Sequence, residues 1–400
     1  MITKLTLCCL MLAAAGCTPS DVQPGDDLTM HDANTPASAH SQPAVTLEAA
    51  IADFRDIADN IAGHRIETCV RGADETIYPQ PYCYLTTMLV QMHAAGLTNM
   101  DLDSLAVVSG ASAMFGYEPG EFMPKYAFHH RDPNRLVAEA TGYATETARL
   151  ADPEKTWQFV KESIDSGRPA SAWHGEMMLI AGYRDAQSPA QREIFVMKDG
   201  NGYFTEWWNW EQFIGWLGDG QHFRRYECRV TPKPPAAILA RVVTDLVLLS
   251  TNVPENIAKA FPKATFGLAG IALWADECDN TGKYPDWSMC HPENPQWTVR
   301  NSTAVYLERA AEAGLLPPAG NEHVRNAAEH YRAAYRAWQR AYGLVGYPAP
   351  EGAGKVPANR HAAANAVRDA LQQEQTAIAE LQQALEHIPA VTTSPGDSRG

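Results

Sequence analysis

Pro81-Tyr82-Cys83-Tyr84-Leu85-Thr86-Thr87-Met88 is the stretch on which the reading of this chain turns. Pro79 and Pro81 forbid helix upstream and hold an extended approach to Cys83. From Cys83 onward, Leu85, Met88, Leu89 and Met92 fall on one helical face, and Gly96 ends the helix. Cys83 therefore stands at a helix N-terminus. Unpaired N–H groups and the helix dipole stabilise an anion there. The same setting lowers a thiol's pKa and favours the thiolate, which is the nucleophilic form.

A thiolate nucleophile needs a base and a group to orient that base. Two downstream segments supply candidates. Ala172-Trp173-His174-Gly175-Glu176 leads into an apolar run of strand length, Met177 to Ala181, followed by Gly182-Tyr183. Glu193 to Met197 is a second such run, ending at Lys198-Asp199-Gly200. Asp199-Gly200-Asn201-Gly202 then reads as a hairpin turn, with Tyr203 to Trp208 as the partner strand. This makes His174 the candidate base and Asp199 the candidate orienting acid. Leu136 to Gly142 and Thr156 to Gly167 read as helices, and Glu211 to Leu217 as a short helix or turn. Upstream, Leu47, Ala50, Ile51, Phe54, Ile57, Ala58 and Ile61 predict an amphipathic opening helix, with Thr68 to Pro81 a polar loop.

Beyond Pro232 to Pro235 the pattern changes. Val324, Ala327, Ala328, Tyr331, Ala334, Tyr335, Trp338, Ala341 and Tyr342 keep a 3.6-residue rhythm. Val367, Ala370, Leu371, Ile378, Leu381, Leu385 and Ile388 do the same, across a Gly/Pro-rich joint from Gly343 to Pro357. The second half is therefore expected to be helical. His323 and His330 share a helical face without a third ligand at metal spacing, so they read as surface or packing residues. Trp207, Trp208, Trp210 and Trp216 read mainly as core, with an exposed fraction available as a ligand platform.

The amino terminus assigns a compartment. Lys4, the apolar run Leu5 to Leu12 and the small residues Ala13 to Gly16 read as a secretory signal, too short to span a bilayer. Ala14-Ala15-Gly16-Cys17 resembles the lipobox of bacterial lipoproteins, which implies lipid on Cys17. Thr18 in place of Asp favours the outer membrane by the same resemblance. Thr18 to Thr46 has the composition of a flexible tether. The apolar segment Ala236 to Leu249 is short and interrupted by Arg241 and Asp245, so no membrane span is expected there.

The chain has 8 cysteines. Cys8 and Cys9 leave with the signal and Cys17 takes lipid. Cys69, Cys83, Cys228, Cys278 and Cys290 remain, an odd number in an oxidising compartment. Cys278 and Cys290 flank a Gly/Pro/Asp-rich loop and are the favoured disulfide. A Cys69–Cys228 disulfide would leave Cys83 as the reactive thiol, against the alternative that the odd thiol is buried and inert.

Length and composition agree with this layout. The chain has 400 residues, 45% of them hydrophobic and 20% charged, which excludes a disordered or collagen-like chain. Its net charge of −15 makes nucleic acid a poor partner, because phosphate neutralisation needs clustered Lys and Arg. Loss of Lys4 with the signal moves the mature chain to −16. Neither H-E-x-x-H, a P-loop, G-x-G-x-x-G nor G-x-S-x-G occurs, so no metal or cofactor is expected.

The nucleophile helix, with Gly96, resembles that of the C39-like papain fold. Arg168-Pro169 with Met177 to Tyr183 resembles the base strand of that fold. Val196 to Gly200 and Trp207 to Trp216 resemble its "DP…F…W" segment. Ser109-Gly110-Ala111 and Gly116-Tyr117 are similar to a Gly-rich signature of the butirosin-biosynthesis H-type N-terminal domain. Gly267-Leu268-Ala269-Gly270 and Trp274 are similar to the domain often found after it. The resemblance covers about residues 60 to 345 and implies an α+β, papain-like cysteine-hydrolase fold with a mostly α-helical C-terminal domain. The expected layout is a signal over 1–16, a tether over 17–46, a papain-like domain over 47–232, a helical domain over 233–390 and a tail over 391–400.

The implied activity is a lipid-anchored periplasmic amide hydrolase or acyltransferase. Cys83 would be the nucleophile, His174 the base and Asp199 its orienting partner. Gln80 would assist at the oxyanion, as a Gln does just before the nucleophile in papain-like enzymes. One departure stands out. In the papain pattern the base lies six residues before the Gly of Gly-Tyr, and that position is Glu176. Read as one strand, His174 and Glu176 share a face, with His174 about 6–7 Å further along. Glu176 could instead orient a histidine such as His129 or His130. An acyl-carrier partner does not suit the periplasm, so a peptide or peptidoglycan-derived substrate is expected, with a protein partner possible on the helical domain. The alternative from another class is a degenerate papain-like lipoprotein that binds a peptide or acts as a scaffold, since a carboxylate is a poor base for an ordinary thiol.

Overall fold

The structure is a computed structural model, and it describes residues 83–97, 100–119, 131–149, 152–174, 176–198, 204–217, 222–280, 298–345 and 352–388. The chain is α+β. The nucleophile stretch forms helix α1 (Cys83–Ala94). Gly96, at φ 92°, ends it in the left-handed region that glycine adopts without strain. Leu85, Met88, Leu89 and Met92 are all buried, as their spacing requires.

Six strands build the central sheet: β2 (Tyr143–Arg149), β3 (Ala170–His174), β4 (Glu176–Arg184), β5 (Glu193–Lys198), β6 (Phe204–Asn209) and β7 (His222–Arg229). Their order is β2-β7-β3-β4-β5-β6, and every pairing is antiparallel. The expected strands at Met177 to Ala181 and Glu193 to Met197 are the core of β4 and β5, and β6 is the hairpin partner. Side chains alternate between the two faces. Leu179, Ala181 and Phe195 pack on the side of α1. Met178, Ile180, Ile194 and Val196 pack with Trp157 and Phe159 of α4 (Pro153–Asp165) and with Trp210 and Phe213 of α5 (Trp210–Leu217). Helix α3 (Pro133–Thr141) and helix α2 (Leu102–Val108) complete the first half, and Asp132, Asp152 and Asp101 cap the three N-termini.

The described second half is mostly helical: α6 (Pro235–Thr251), α7 (Glu255–Ala260), α8 (Gly267–Asp279), α9 (Thr298–Glu312), α10 (Pro318–Val345) and α11 (Pro357–Glu386). The rhythmic positions from Val324 to Tyr342 are all buried. His323 bonds Glu380 and His330 bonds Gln373, so α10 and α11 run antiparallel. Both histidines thus bridge helices, in agreement with a packing role.

The sequence marks a boundary near Pro232, and residues from both sides of it share one core. Leu89, Leu105 and Val108 belong to the same buried cluster as Leu239, Leu307 and Leu381. Backbone bonds join the halves as well. β1 (Gly116–Tyr117) pairs with β8 (Thr265–Phe266), and the Gly267 N–H donates to the Phe115 carbonyl at 2.8 Å. The Gly267-Leu268-Ala269-Gly270 motif is explained by this crossing. Gly267 has φ +61°, and a Cβ on Gly270 would come within 2.5 Å of the Thr265 carbonyl oxygen.

A buried ion pair ties three helices. Arg300 of α9 donates to both carboxylate oxygens of Glu374 of α11, at 3.0 and 2.8 Å, and the Trp338 indole of α10 donates to Glu374 at 3.0 Å. The two charged side chains are 5% and 2% exposed. Removing one member strands a buried charge, whereas replacing both with apolar groups does not. Arg300→Met should therefore cost about 3–5 kcal/mol, and adding Glu374→Leu should recover only part of it, because the Trp338 N–H then loses its acceptor, as read from urea unfolding midpoints.

Candidate functional site

The site is built where α1 crosses the sheet. Gln91 fixes that crossing. Its Nε2 donates to the Pro169 carbonyl at 2.9 Å and to the Arg224 carbonyl at 3.1 Å, and its Oε1 accepts from Ser171 Oγ at 3.3 Å. Gln91 is 4% exposed. One side chain thus pins the last turn of the helix to the start of β3 and to β7. Sequence reasoning did not single it out. The available signal was a lone amide within the otherwise apolar Leu85-to-Met92 stripe, where a buried polar group demands partners.

Thr87, Met88 and Gln91 of α1 line one pocket with Ser171 of β3 and Met177 of β4. Cys83 precedes Gln91 by about 12 Å of helix, and His174 follows Ser171 by about 10 Å of strand. The side chains of Cys83, His174 and Glu176 lie outside what the structure describes.

One expectation is corrected. His174 and Glu176 do not follow one another along a single strand. β3 ends at His174, β4 begins at Glu176, and the two are antiparallel register partners. Directly opposed residues sit about 4.5–5.5 Å apart between Cα atoms rather than 6–7 Å. The pattern reads as one strand because the largely apolar runs Ala170 to Trp173 and Met177 to Ala181 flank His174-Gly175-Glu176.

Gln80, Asp199, Cys17, Cys69, Cys290, His129 and His130 lie outside the described residues. Cys228 sits in β7 opposite Ala144, and its side chain is likewise outside them. Cys278 is buried in α8 with its Sγ 3.4 Å from the Arg360 carbonyl oxygen. Tyr183, of the Gly-Tyr pair, serves the opposite face of the sheet. Its hydroxyl donates to Asp165 of α4 at 2.6 Å, and this hydrogen bond holds the phenol's pKa above its ordinary value. The tryptophans divide as expected. Trp210 is core, 5.1 Å from Trp157, and Trp216 is 38% exposed.

Beneath α1 lies a small, partly open pocket with room for about one water molecule. Thr87, Gln91, Asn134, Thr145, Ser171 and Arg224 line it, with Met88 and Met177. Thr87 is 1% exposed, and its Oγ1 has no hydrogen-bond partner among the described residues. A buried hydroxyl in that state carries a desolvation cost of about 1–3 kcal/mol. Among the described residues no group of three or more His, Cys, Asp or Glu could hold a metal ion, and no helix is long and apolar enough to cross a membrane. No protein-family model matches the chain, and no curated protein matches it.

Two neighbouring substitutions should therefore move stability in opposite directions. Gln91→Leu strips partners from three buried groups and should cost about 2–4 kcal/mol. Thr87→Val keeps the shape and removes the unpaired hydroxyl, so stability should hold or rise by up to about 1 kcal/mol. Chemical denaturation of the two variants checks both signs.

Proposed function

We propose that the chain is a papain-like, C39-type cysteine amide hydrolase or acyltransferase that acts on a peptide-like substrate, with Cys83 as nucleophile. The observation that carries this reading is the position of Cys83. It opens the described part of α1, a helix that Gln91 pins to β3 and β7, and His174 and Glu176 are register partners on β3 and β4. A thiol at a helix N-terminus loses its proton more readily than an ordinary thiol.

In the proposed reaction His174 takes the Cys83 proton and the thiolate attacks the substrate carbonyl carbon. The Cys83 N–H and Gln80 donate to the resulting oxyanion. The C–N bond breaks as His174 returns the proton to the leaving amine, and a thioester remains on Cys83. Water or an acceptor amine then attacks the thioester and frees the thiol. Asp199 orients the imidazole, and Glu176, opposite His174, supports its charged form. The proposed setting is the periplasmic face of the outer membrane, reached by lipid on Cys17, with Cys278–Cys290 and Cys69–Cys228 as disulfides.

A second reading has its own support. Glu176 occupies the position where the papain pattern has its base, which favours a degenerate cleft that binds a peptide without cleaving it. Iodoacetamide labelling of the native chain, read by mass spectrometry, separates the two. The enzyme reading predicts Cys83 alkylated first among the thiols, with a rate that rises through a pKa below the usual thiol value of about 8.5. A Cys83 that is oxidised, or that reacts only above that value, contradicts it.

A further inference from the structure

The proposed chemistry gives no role to the pocket beneath α1, and one of its lining residues behaves unlike others of its kind. A threonine inside a helix commonly returns its hydroxyl to the carbonyl four residues earlier. Thr141, Thr156, Thr244, Thr251, Thr303 and Thr376 all do so, at 2.7 to 3.0 Å. Thr87 does not. Its Oγ1 is buried without a partner among the described residues, although the Cys83 carbonyl is the group four residues earlier. Thr87 is one of the residues that line the pocket.

The other walls narrow the ligand. Gln91 and Ser171 are committed to each other, and Gln91 also to the Pro169 and Arg224 carbonyls, so they hold the pocket's shape. Arg224 brings a guanidinium, whose five N–H groups can serve more than one acceptor. A hydroxyl donor beside a guanidinium matches a group made of acceptors and carrying negative charge. The room beneath the mouth is about that of one water molecule. One oxygen of a carboxylate enters such a space. The net charge of −15 would repel an anion at long range, so recognition has to come from these local donors.

Thr87 follows Cys83 by four residues, one turn of the same helix face and about 6 Å along its axis. We infer that this pocket is a carboxylate subsite: the peptide-like substrate carries a free carboxylate that docks between Thr87 and Arg224, about one helical turn from the carbonyl attacked by Cys83. The identity of the ligand as substrate rests on the reading of Cys83 as nucleophile. The preference for a carboxylate rests on the pocket alone.

Calorimetric titration of the full chain with N-acetylglycine and with its neutral twin N-acetylglycinamide tests the pocket. The acid should bind about tenfold more tightly than the amide, the scale of one charge-assisted hydrogen bond. Arg224→Gln should erase that preference. Thr87→Val should weaken the acid about fivefold while leaving unfolding resistance equal or higher, a pairing that a purely structural threonine would not give. The wild-type comparison and Thr87→Val carry the test even where Arg224→Gln fails to fold. Equal affinity for acid and amide overturns the inference and leaves a pocket for water only. Alkylation by N-iodoacetylglycine and N-iodoacetylglycinamide supplies the second arm. Cys83 inert to both reagents removes the nucleophile reading, while the titration still decides the pocket. Cys83 reacting equally with both, without binding preference in the titration, removes the carboxylate subsite and leaves the nucleophile reading intact.

Discussion

Gln91 is the constraint from which the arrangement around α1 follows. Its amide satisfies two carbonyls and one hydroxyl from β3, β7 and the segment leading into β3. A helix laid on a sheet by apolar contacts alone can slide, because hydrophobic burial is not directional. A fully committed amide in a buried setting is directional, and leaving it unpaired is costly. It fixes how far α1 extends along the sheet, and so where Cys83 comes to lie. It also sets the depth of the pocket that Thr87 and Arg224 line.

The helical half supports this crossing from behind. Leu85, Leu89 and Met92 of α1 belong to one buried cluster with Leu239, Leu307 and Leu381. Asp103 of α2 accepts from Ser302 of α9 at 2.7 Å, and the β1–β8 pairing adds backbone bonds. The buried Arg300–Glu374 pair orders α9 against α11, and Arg300 stands 6.0 Å from the Phe115 ring beside β1. Shifts in the helices would therefore be felt at α1, because close-packed interiors transmit strain.

Much of the fold was legible because period and local chemistry agreed. The stripes on α1, α10 and α11 predicted their buried faces, and the apolar runs of β4 and β5 with Asp199 to Gly202 between β5 and β6 predicted the hairpin. The β3–β4 reversal was not legible, since Ala170 to Trp173 and Met177 to Ala181 are both apolar enough to read as one approach and strand. The role of Gln91 is hidden for a related reason. Its partners lie 78 to 133 residues away, and no local pattern announces a long-range hydrogen bond. The unusual state of Thr87 is likewise invisible in sequence, where it is one more threonine in a helix.

In the proposed mechanism Cys83 and His174 form a charge-coupled pair. An NMR titration of the His174 ring in the native chain and in Cys83→Ser measures that coupling. A neighbouring thiolate stabilises the imidazolium, so the account predicts a His174 pKa that falls when the sulfur is replaced. A His174 titration curve identical in the two proteins would contradict it.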